Sequence, residues 1–294
     1  MAPFGRVVTA MITPFTEDGR VDEDALARLA QHLVETGSDA LFVAGTTGES
    51  PTLSDDEKIG LVHSVRRVVG DSTPVLIGSG TYDTAKSVEL SKRAADAGAD
   101  GLVAVTPYYS KPEQRGLVGH FTAIADSTDV PVMLYNIPGR TARLIEVSTL
   151  AELSGHDNIV AVKDAVMDID HTSETVSKVP GLAVYSGQDS YTMPMMAVGA
   201  IGVVSVVSHL AGKQVAAMVE AMHAGNLAEA RRLHHLLLPL CSALFAESNP
   251  SPVKAAMSKY WEPVGKPRLP VVEALGSTVD GVGAALAALQ DATT

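Results

Sequence analysis

Eight short apolar segments recur along the first 209 residues of the chain. Within each one, apolar residues follow one another almost without interruption, as is typical of parallel strands that are covered on both faces. Strands that face solvent on one side would instead alternate apolar and polar positions. The segments are residues 6–14, 40–46, 74–80, 101–107, 130–138, 158–165, 182–189 and 201–209.

Helical periodicity separates these segments. Ser54 and Glu57 form a capping-box pattern before a run of apolar residues spaced for one helix face. Asp22 and Asp83 stand at the start of two further helical patterns, where a carboxylate can accept hydrogen bonds from free backbone amides. Strands that alternate with helices eight times predict an α/β protein of the (β/α)8 TIM-barrel type.

A doubly wound parallel sheet is the competing topology. Its dinucleotide-binding form carries G-x-G-x-x-G after the first strand. No such motif follows residue 14, and "GSGTYD" at 78–83 has only the first two glycines and follows the third strand. The sequence therefore favours the barrel.

The strand pattern stops after His209, and only helical segments follow. We expect residues 1–224 to form a barrel that carries the active site and residues 225–294 to form a C-terminal helical region. Helices are predicted over 212–225, 226–246, 251–260 and 272–290, with a proline-rich linker at 261–270.

Composition excludes several classes of function. The net charge of −12 argues against a nucleic-acid partner, which needs a basic face. A single cysteine, Cys241, allows neither an internal disulfide nor a cysteine-based metal site. His234 and His235 are adjacent and point in different directions, so we expect no metal site. The chain has no signal-peptide pattern and no membrane-length apolar run, which predicts a cytoplasmic protein.

Polar groups cluster where the predicted strands end, which is where barrel enzymes place their chemistry. The segment "NIVAVKDAV" runs through four apolar residues into Lys163 and Asp164. Taken alone, Lys163 has a structural explanation as a strand-end lysine that reaches solvent. Similar polar ends on most of the other strands are harder to explain by packing. They are residues 45–50, 78–80, 106–109, 135–141, 186–189 and 205–209.

These groups suit amine catalysis on a carbonyl compound. Burial disfavours the charged form of a lysine, so Lys163 could act as a neutral nucleophile and form a Schiff base. Adjacent strand residues point to opposite faces, so Asp164 should face the helices if Lys163 faces the barrel interior. The threonine turn after the second strand could bind a small carboxylate, and Arg140 could bind a second one.

At these residues the sequence resembles the dihydrodipicolinate synthase family of pyruvate-dependent class I aldolases, which also holds N-acetylneuraminate lyase. The motifs "GTTGES", "TPYYSKPEQRGLVGHF", "LYNIPGRT", "VKDA" and "SGQD" have the family's order and spacing along the whole chain. The resemblance implies that pyruvate condenses with L-aspartate 4-semialdehyde to give 4-hydroxy-tetrahydrodipicolinate, in lysine and diaminopimelate biosynthesis. It implies a covalent Schiff base with pyruvate, no other cofactor, and a homotetramer built as a dimer of dimers.

The same resemblance implies roles for individual residues. Lys163 would form the Schiff base, while Tyr135, Thr46 and Tyr109 would relay protons, with Tyr109 supplied by a neighbouring subunit. Tyr108 matches a tyrosine that stacks across the tight dimer interface. The remaining site residues bind the substrates: Thr46 and Thr47 hold the pyruvate carboxylate, Arg140 receives the semialdehyde carboxylate, and Gly187 and Val204 line the pyruvate pocket.

Two alternatives stay open at this point. The first is a related aldolase or lyase acting on a sugar acid, of the N-acetylneuraminate or 2-keto-3-deoxy acid type, although Arg140 and the spelling "GTTGE" favour the synthase. The second is a barrel that binds a keto acid without catalysis.

The resemblance also allows a prediction about regulation. Positions matching the family's lysine-inhibition site are Asp55, Lys58, Tyr82 and Lys86. Lys86 replaces a carboxylate of that site, which predicts weak or absent inhibition by lysine.

Overall fold

A computed structural model describes residues 2–292, and in it eight parallel strands close into a barrel in chain order. Each strand pairs with the next, and β8 pairs with β1. The strands are β1 Val7–Ala10, β2 Ala40–Val43, β3 Val75–Gly78, β4 Gly101–Val105, β5 Val132–Asn136, β6 Ile159–Asp164, β7 Ala183–Ser186 and β8 Gly202–Ser205. The predicted TIM barrel is confirmed.

Helices surround this barrel, and three more follow it. The first nine are α1 Glu23–Glu35, α2 Asp55–Val69, α3 Thr84–Asp96, α4 Gln114–Ala125, α5 Pro138–Thr141, α6 Val147–Leu153, α7 Ile169–Lys178, α8 Thr192–Ala197 and α9 Ser208–His223. The C-terminal helices are α10 Leu227–Leu244, α11 Ser251–Tyr260 and α12 Gly276–Asp291. Within residues 2–292, none of the helices has both the length and the apolar character needed to cross a membrane.

The capping signals in the sequence act as predicted. The Ser54 side chain accepts a hydrogen bond from the Glu57 backbone amide, and the Glu57 side chain accepts one from the Ser54 amide. Asp22 and Asp83 accept from the third residue after each of them, at the first turns of α1 and α3. Each cap satisfies backbone amides that a helix leaves free at its N-terminus.

The interior of the barrel is packed by side chains from all eight strands and from Phe4. It is a solid core, as is typical of this fold, and Tyr135 and Lys163 lie near its end at the carboxyl termini of the strands. The buried members are Phe4, Val8, Ala10, Ala40, Phe42, Leu76, Val103, Met133, Tyr135, Ala161, Tyr185 and Val204.

The first and last strands are shorter than their apolar segments. β1 ends at Ala10 although the apolar pattern continues to residue 14, and β8 ends at Ser205 although the pattern continues to 209. Met11 and Val207 are buried all the same, and both belong to the main hydrophobic core of the protein. Packing of the residues that follow each strand into the core therefore extends the apolar pattern beyond the strand.

Candidate active site

A cavity of about 420 Å³ lies among the loops that follow the carboxyl ends of β2 to β5. Its walls include Phe42 and Thr46 from the β2 end, Tyr108 after β4, and Tyr135 and Arg140 from β5 and α5. This is the end of the barrel at which the sequence places the chemistry.

The Lys163 side chain points into the barrel and is only 4% exposed. Its Nζ lies 4.2 Å from the centre of the Tyr135 ring and 5.5 Å from that of Phe42, and both rings line the cavity. Lys163 and Tyr135 are register partners on β6 and β5. The amine is therefore buried directly beside the cavity, against aromatic faces.

Asp164 faces the opposite way, as strand alternation predicts. Its carboxylate lies in the helical layer, where Oδ2 accepts from Thr172 Oγ1 at 3.1 Å and contacts His171 Nδ1 at 3.3 Å. The Val166 amide donates to Oδ1 at 2.9 Å. The carboxylate thus anchors α7 to β6 and is not the charge partner of the amine.

Gly187 lies against the stem of Lys163. A Cβ at this position would lie 2.8 Å from Ala165 Cβ and 3.1 Å from Lys163 Cγ, so a larger residue would force Ala165 to shift and crowd the lysine stem. Val204 is 1% exposed and packs inside the barrel with Tyr135. Gly187 therefore limits the space beside the Lys163 stem, whereas Val204 belongs to the packed interior of the barrel.

The two threonines of the β2 turn differ in exposure. Thr46 lines the cavity, whereas Thr47 lies behind it and is 2% exposed. Asn249 Nδ2 donates to Thr47 Oγ1 at 2.9 Å. Sequence reasoning gave Asn249 no role, because this contact joins residues 202 positions apart and no local pattern indicates it.

Tyr109 does not join the other site residues within this chain. Its side chain is 94% exposed, and its backbone adopts a left-handed conformation with φ of 68°. Its role as a proton relay stays a prediction that needs a neighbouring subunit.

Backbone strain is concentrated in loops at one end of the barrel. In the described part of the chain, the six non-glycine residues with positive φ all lie in loops after β2, β4, β5 or β6, and such strain is common at functional sites. They are Ala44, Glu49, Tyr109, Lys111, Ala142 and Met167.

Asp189 is a buried carboxylate that sequence reasoning named only as part of "SGQD". Burial raises its pKa, while hydrogen bonds from Ser205 Oγ and from the Val206 and Val207 amides oppose that change. Lys163 is close enough to act on the same carboxyl group electrostatically. Asp189 thus ties the loop after β7 to the end of β8, next to the amine.

The outer wall of the cavity carries the positions compared with a lysine-binding site. Asp55, Lys58, Tyr82 and Lys86 all line it. Lys58 Nζ contacts Asp55 Oδ1 at 3.2 Å, and the Tyr82 ring meets Tyr108 edge-on at 5.4 Å. Burial raises the pKa of Tyr108. Two lysines therefore share this wall with one carboxylate.

No group of three or more His, Cys, Asp and Glu side chains among residues 2–292 is arranged to hold a metal ion. The His234 and His235 rings lie 5.5 Å apart at an interplanar angle of 61°, an edge-to-face contact. The amine and its neighbours are the chemically distinctive groups that the structure places at the cavity.

The chain is similar to known proteins over nearly its whole length. Residues 3–289 match the model of the dihydrodipicolinate synthetase family. A relative from Heliobacterium modesticaldum, named 4-hydroxy-tetrahydrodipicolinate synthase, is 52% identical over 92% of this chain and 91% of its own length.

Two solved structures superpose closely on the chain. A dihydrodipicolinate synthase from Bacillus anthracis has a TM-score of 0.94 and 42% identity, covering 98% of this chain and 99% of its own. The enzyme from Cyanidioschyzon merolae, solved with lysine bound, has a TM-score of 0.96 and 41% identity, covering 99% of both chains. The chain therefore belongs to the dihydrodipicolinate synthetase family.

Proposed function

We propose that this enzyme, a lyase of the class I aldolase type, condenses pyruvate with L-aspartate 4-semialdehyde to give 4-hydroxy-tetrahydrodipicolinate. The observation that carries the proposal is the Lys163 amine, buried beside the cavity and 4.2 Å from the Tyr135 ring centre. The synthase name borne by a relative with 52% identity supports this substrate pair over a sugar acid. The reaction belongs to the synthesis of lysine and diaminopimelate.

The first half of the reaction activates pyruvate. The Lys163 amine attacks the ketone carbon through its nitrogen lone pair, and loss of water leaves a protonated Schiff base. That cation withdraws electrons from the methyl group, so a base can remove one methyl proton and leave an enamine. Thr46 and Tyr135, both at the cavity, are the groups of this chain proposed to carry the protons, and Tyr109 of a second subunit would complete the relay.

The second half forms the carbon–carbon bond. The enamine carbon attacks the semialdehyde aldehyde, whose oxygen takes up a proton. The amino group of the semialdehyde then adds to the Schiff-base carbon and displaces the Lys163 amine, which closes the ring and regenerates the enzyme. Arg140 lines the cavity from α5 and is proposed to hold the semialdehyde carboxylate.

The proposal includes neither a separate cofactor nor a metal, because the protonated Schiff base itself is the electron sink that the condensation needs. We also propose a homotetramer, a dimer of dimers. Tyr109 is 94% exposed and stands away from the cavity of its own chain, so a second subunit is needed to place it in a site. The cytoplasmic location stays a prediction.

Replacing Arg140 by alanine tests the substrate assignment. We expect kcat/KM for the semialdehyde to fall about 10- to 100-fold, because a bidentate charge-assisted contact with its carboxylate is lost. Steady-state kinetics with pyruvate and the semialdehyde measures this, alongside N-acetylneuraminate and a 2-keto-3-deoxy acid as rival substrates. Arg140→Lys keeps the positive charge but loses the planar guanidinium group, so its kcat/KM for the semialdehyde should lie between those of the wild type and Arg140→Ala.

The matched control is Arg231→Ala, which removes an exposed arginine of α10 and should leave the kinetics unchanged. Turnover of a sugar acid by the wild type, without turnover of the semialdehyde, would assign the site to the rival aldolase. Normal semialdehyde kinetics in Arg140→Ala would remove Arg140 from the site but leave the reaction assignment standing.

Free lysine is expected to inhibit this enzyme weakly or not at all. Lys58 and Lys86 line the wall that corresponds to the inhibitor site, so the ammonium groups of the ligand would meet like charges there. Initial rates at increasing lysine concentration measure the effect, and Lys86→Glu should become more sensitive. Half-maximal inhibition of the wild type by submillimolar lysine would contradict this prediction.

A further inference from the structure

The turn that carries Thr46 and Thr47 is held from behind by the C-terminal region. Asn249, just before α11, donates from Nδ2 to Thr47 Oγ1 at 2.9 Å. Lys254, within α11, donates from Nζ to Glu49 Oε1 at 2.8 Å. All four side chains are buried. The C-terminal region therefore forms part of the support of the active site as well as packing against the barrel.

Glu49 is the anchor of this turn. Its backbone is left-handed, with φ of 59°, a conformation that non-glycine residues adopt only where surrounding contacts hold them. Those contacts come from Lys254 at one carboxylate oxygen and from the Arg268 amide, at 2.7 Å, on the other. Thr13 Oγ1 donates to the neighbouring Gly48 carbonyl at 2.7 Å. The position of the turn is thus fixed on several sides.

The Asn249 contact also limits where the Thr47 hydroxyl can donate its hydrogen. A threonine hydroxyl has one hydrogen to donate and two lone pairs that accept. Because Asn249 donates to one lone pair of Thr47, the hydroxyl hydrogen is left to bind an acceptor elsewhere. The substrate carboxylate assigned to Thr46 and Thr47 is such an acceptor.

The rest of the Asn249 amide argues against a purely packing role. Asn249 Oδ1 is buried and has no hydrogen-bond partner among the described residues. A buried acceptor without a partner is unfavourable, so packing and stability alone would favour an apolar residue here. What asparagine contributes to its surroundings is the donation to Thr47.

We propose that Asn249 is a positioning residue for carboxylate binding. It directs the Thr47 hydroxyl hydrogen toward the pyruvate carboxylate, while the Lys254–Glu49 pair holds the turn in place. The inference rests on the proposed function, because it takes pyruvate as the molecule bound at this turn.

A double-mutant cycle tests whether Asn249 acts through Thr47. Kinetics are measured for the wild type, Asn249→Ala, Thr47→Val and the double variant, with pyruvate varied at saturating semialdehyde. We expect Asn249→Ala to raise the KM for pyruvate roughly tenfold with little change in kcat, as loss of one buried hydrogen bond does. In the Thr47→Val background the same change should alter KM by less than about twofold.

Asn249→Asp provides a second test with almost the same volume. A carboxylate only accepts, so it would draw the Thr47 hydrogen toward itself and place negative charge near an anionic substrate. We expect a larger rise in KM than for Asn249→Ala. Asn226→Ala is the matched control, since it removes an exposed asparagine that caps α10 and should leave the KM for pyruvate unchanged.

Four outcomes would overturn the inference, the last of them together with the proposed function. One is an equal rise in KM for pyruvate when Asn249→Ala is made in the wild type and in the Thr47→Val variant. Another is an unchanged KM for pyruvate in both Asn249→Ala and Asn249→Asp. A fall in kcat with a lower melting temperature and an unchanged KM would show a structural role only. Failure of the wild type to condense pyruvate with the semialdehyde would overturn the proposed function and this inference together.

Discussion

Replacing Lys163 by alanine is expected to abolish condensation and to prevent any covalent adduct with pyruvate. The Lys163 amine is the nucleophile of the proposed Schiff base, and its loss removes the electron sink that the condensation needs. We expect kcat to fall by at least about a thousandfold, the scale seen when a covalent nucleophile is removed. Borohydride reduction in the presence of pyruvate, followed by mass spectrometry and peptide mapping, should locate the wild-type adduct at Lys163.

Two variants separate nucleophilicity from charge and from general lysine chemistry. Lys163→Arg places a guanidinium cation at this position but cannot form a Schiff base, so it should be as inactive as Lys163→Ala. Lys178→Ala removes an exposed lysine of α7 and should retain both adduct and activity. An adduct that persists in Lys163→Ala, or one that maps to another lysine of the wild type, would make the mechanism wrong.

The barrel follows from the sequence because its signals are local. Each strand is a short run of buried residues, and each of three helices begins at a residue whose side chain caps it: Asp22, Ser54 and Asp83. These patterns need no knowledge of distant contacts. Strand ends were less predictable, since β1 and β8 stop before their apolar segments do. Residues that follow each of these strands also pack into the core, and the sequence alone does not separate a buried strand residue from a buried residue just after it.

The inner part of the candidate site was also predictable, for a geometric reason. Lys163, Tyr135 and Thr46 sit at the ends of parallel strands or in the turn just after one, and such ends meet at one rim of a closed barrel. Its support was not predictable in this way. Asn249 and Lys254 contact the β2 turn from more than 200 positions away along the chain. In the sequence, Lys254 is only a charged residue among apolar neighbours of α11. A lysine on the apolar face of a helix is the one local signal that could have indicated a buried partner.

Replacing Lys254 by methionine is expected to destabilise the protein strongly. The Lys254 and Glu49 side chains are each 1% exposed, and Lys254 Nζ also donates to the Thr13 and Lys266 carbonyls. Removing the lysine leaves a buried carboxylate without its counter-ion, which lowers the free energy of unfolding by about 3–5 kcal/mol. Urea-induced unfolding measures the change.

Lys259→Met is the control from the same helix. Its ammonium contacts Asp280 at 2.9 Å, but the two side chains are 49% and 74% exposed, so losing this pair should lower the free energy of unfolding by less than about 1 kcal/mol. The double variant Glu49→Gln/Lys254→Met removes the stranded charge and should recover more than half of the stability lost in Lys254→Met. Two results would contradict the view that Lys254 stabilises the protein by neutralising Glu49. The first is a loss of unfolding free energy in Lys254→Met that is no larger than in Lys259→Met, and the second is a double variant less stable than Lys254→Met. In either case the turn must be held mainly by the Thr13 hydroxyl, which donates to the Gly48 carbonyl, and by the Arg268 amide, which donates to the Glu49 carboxylate.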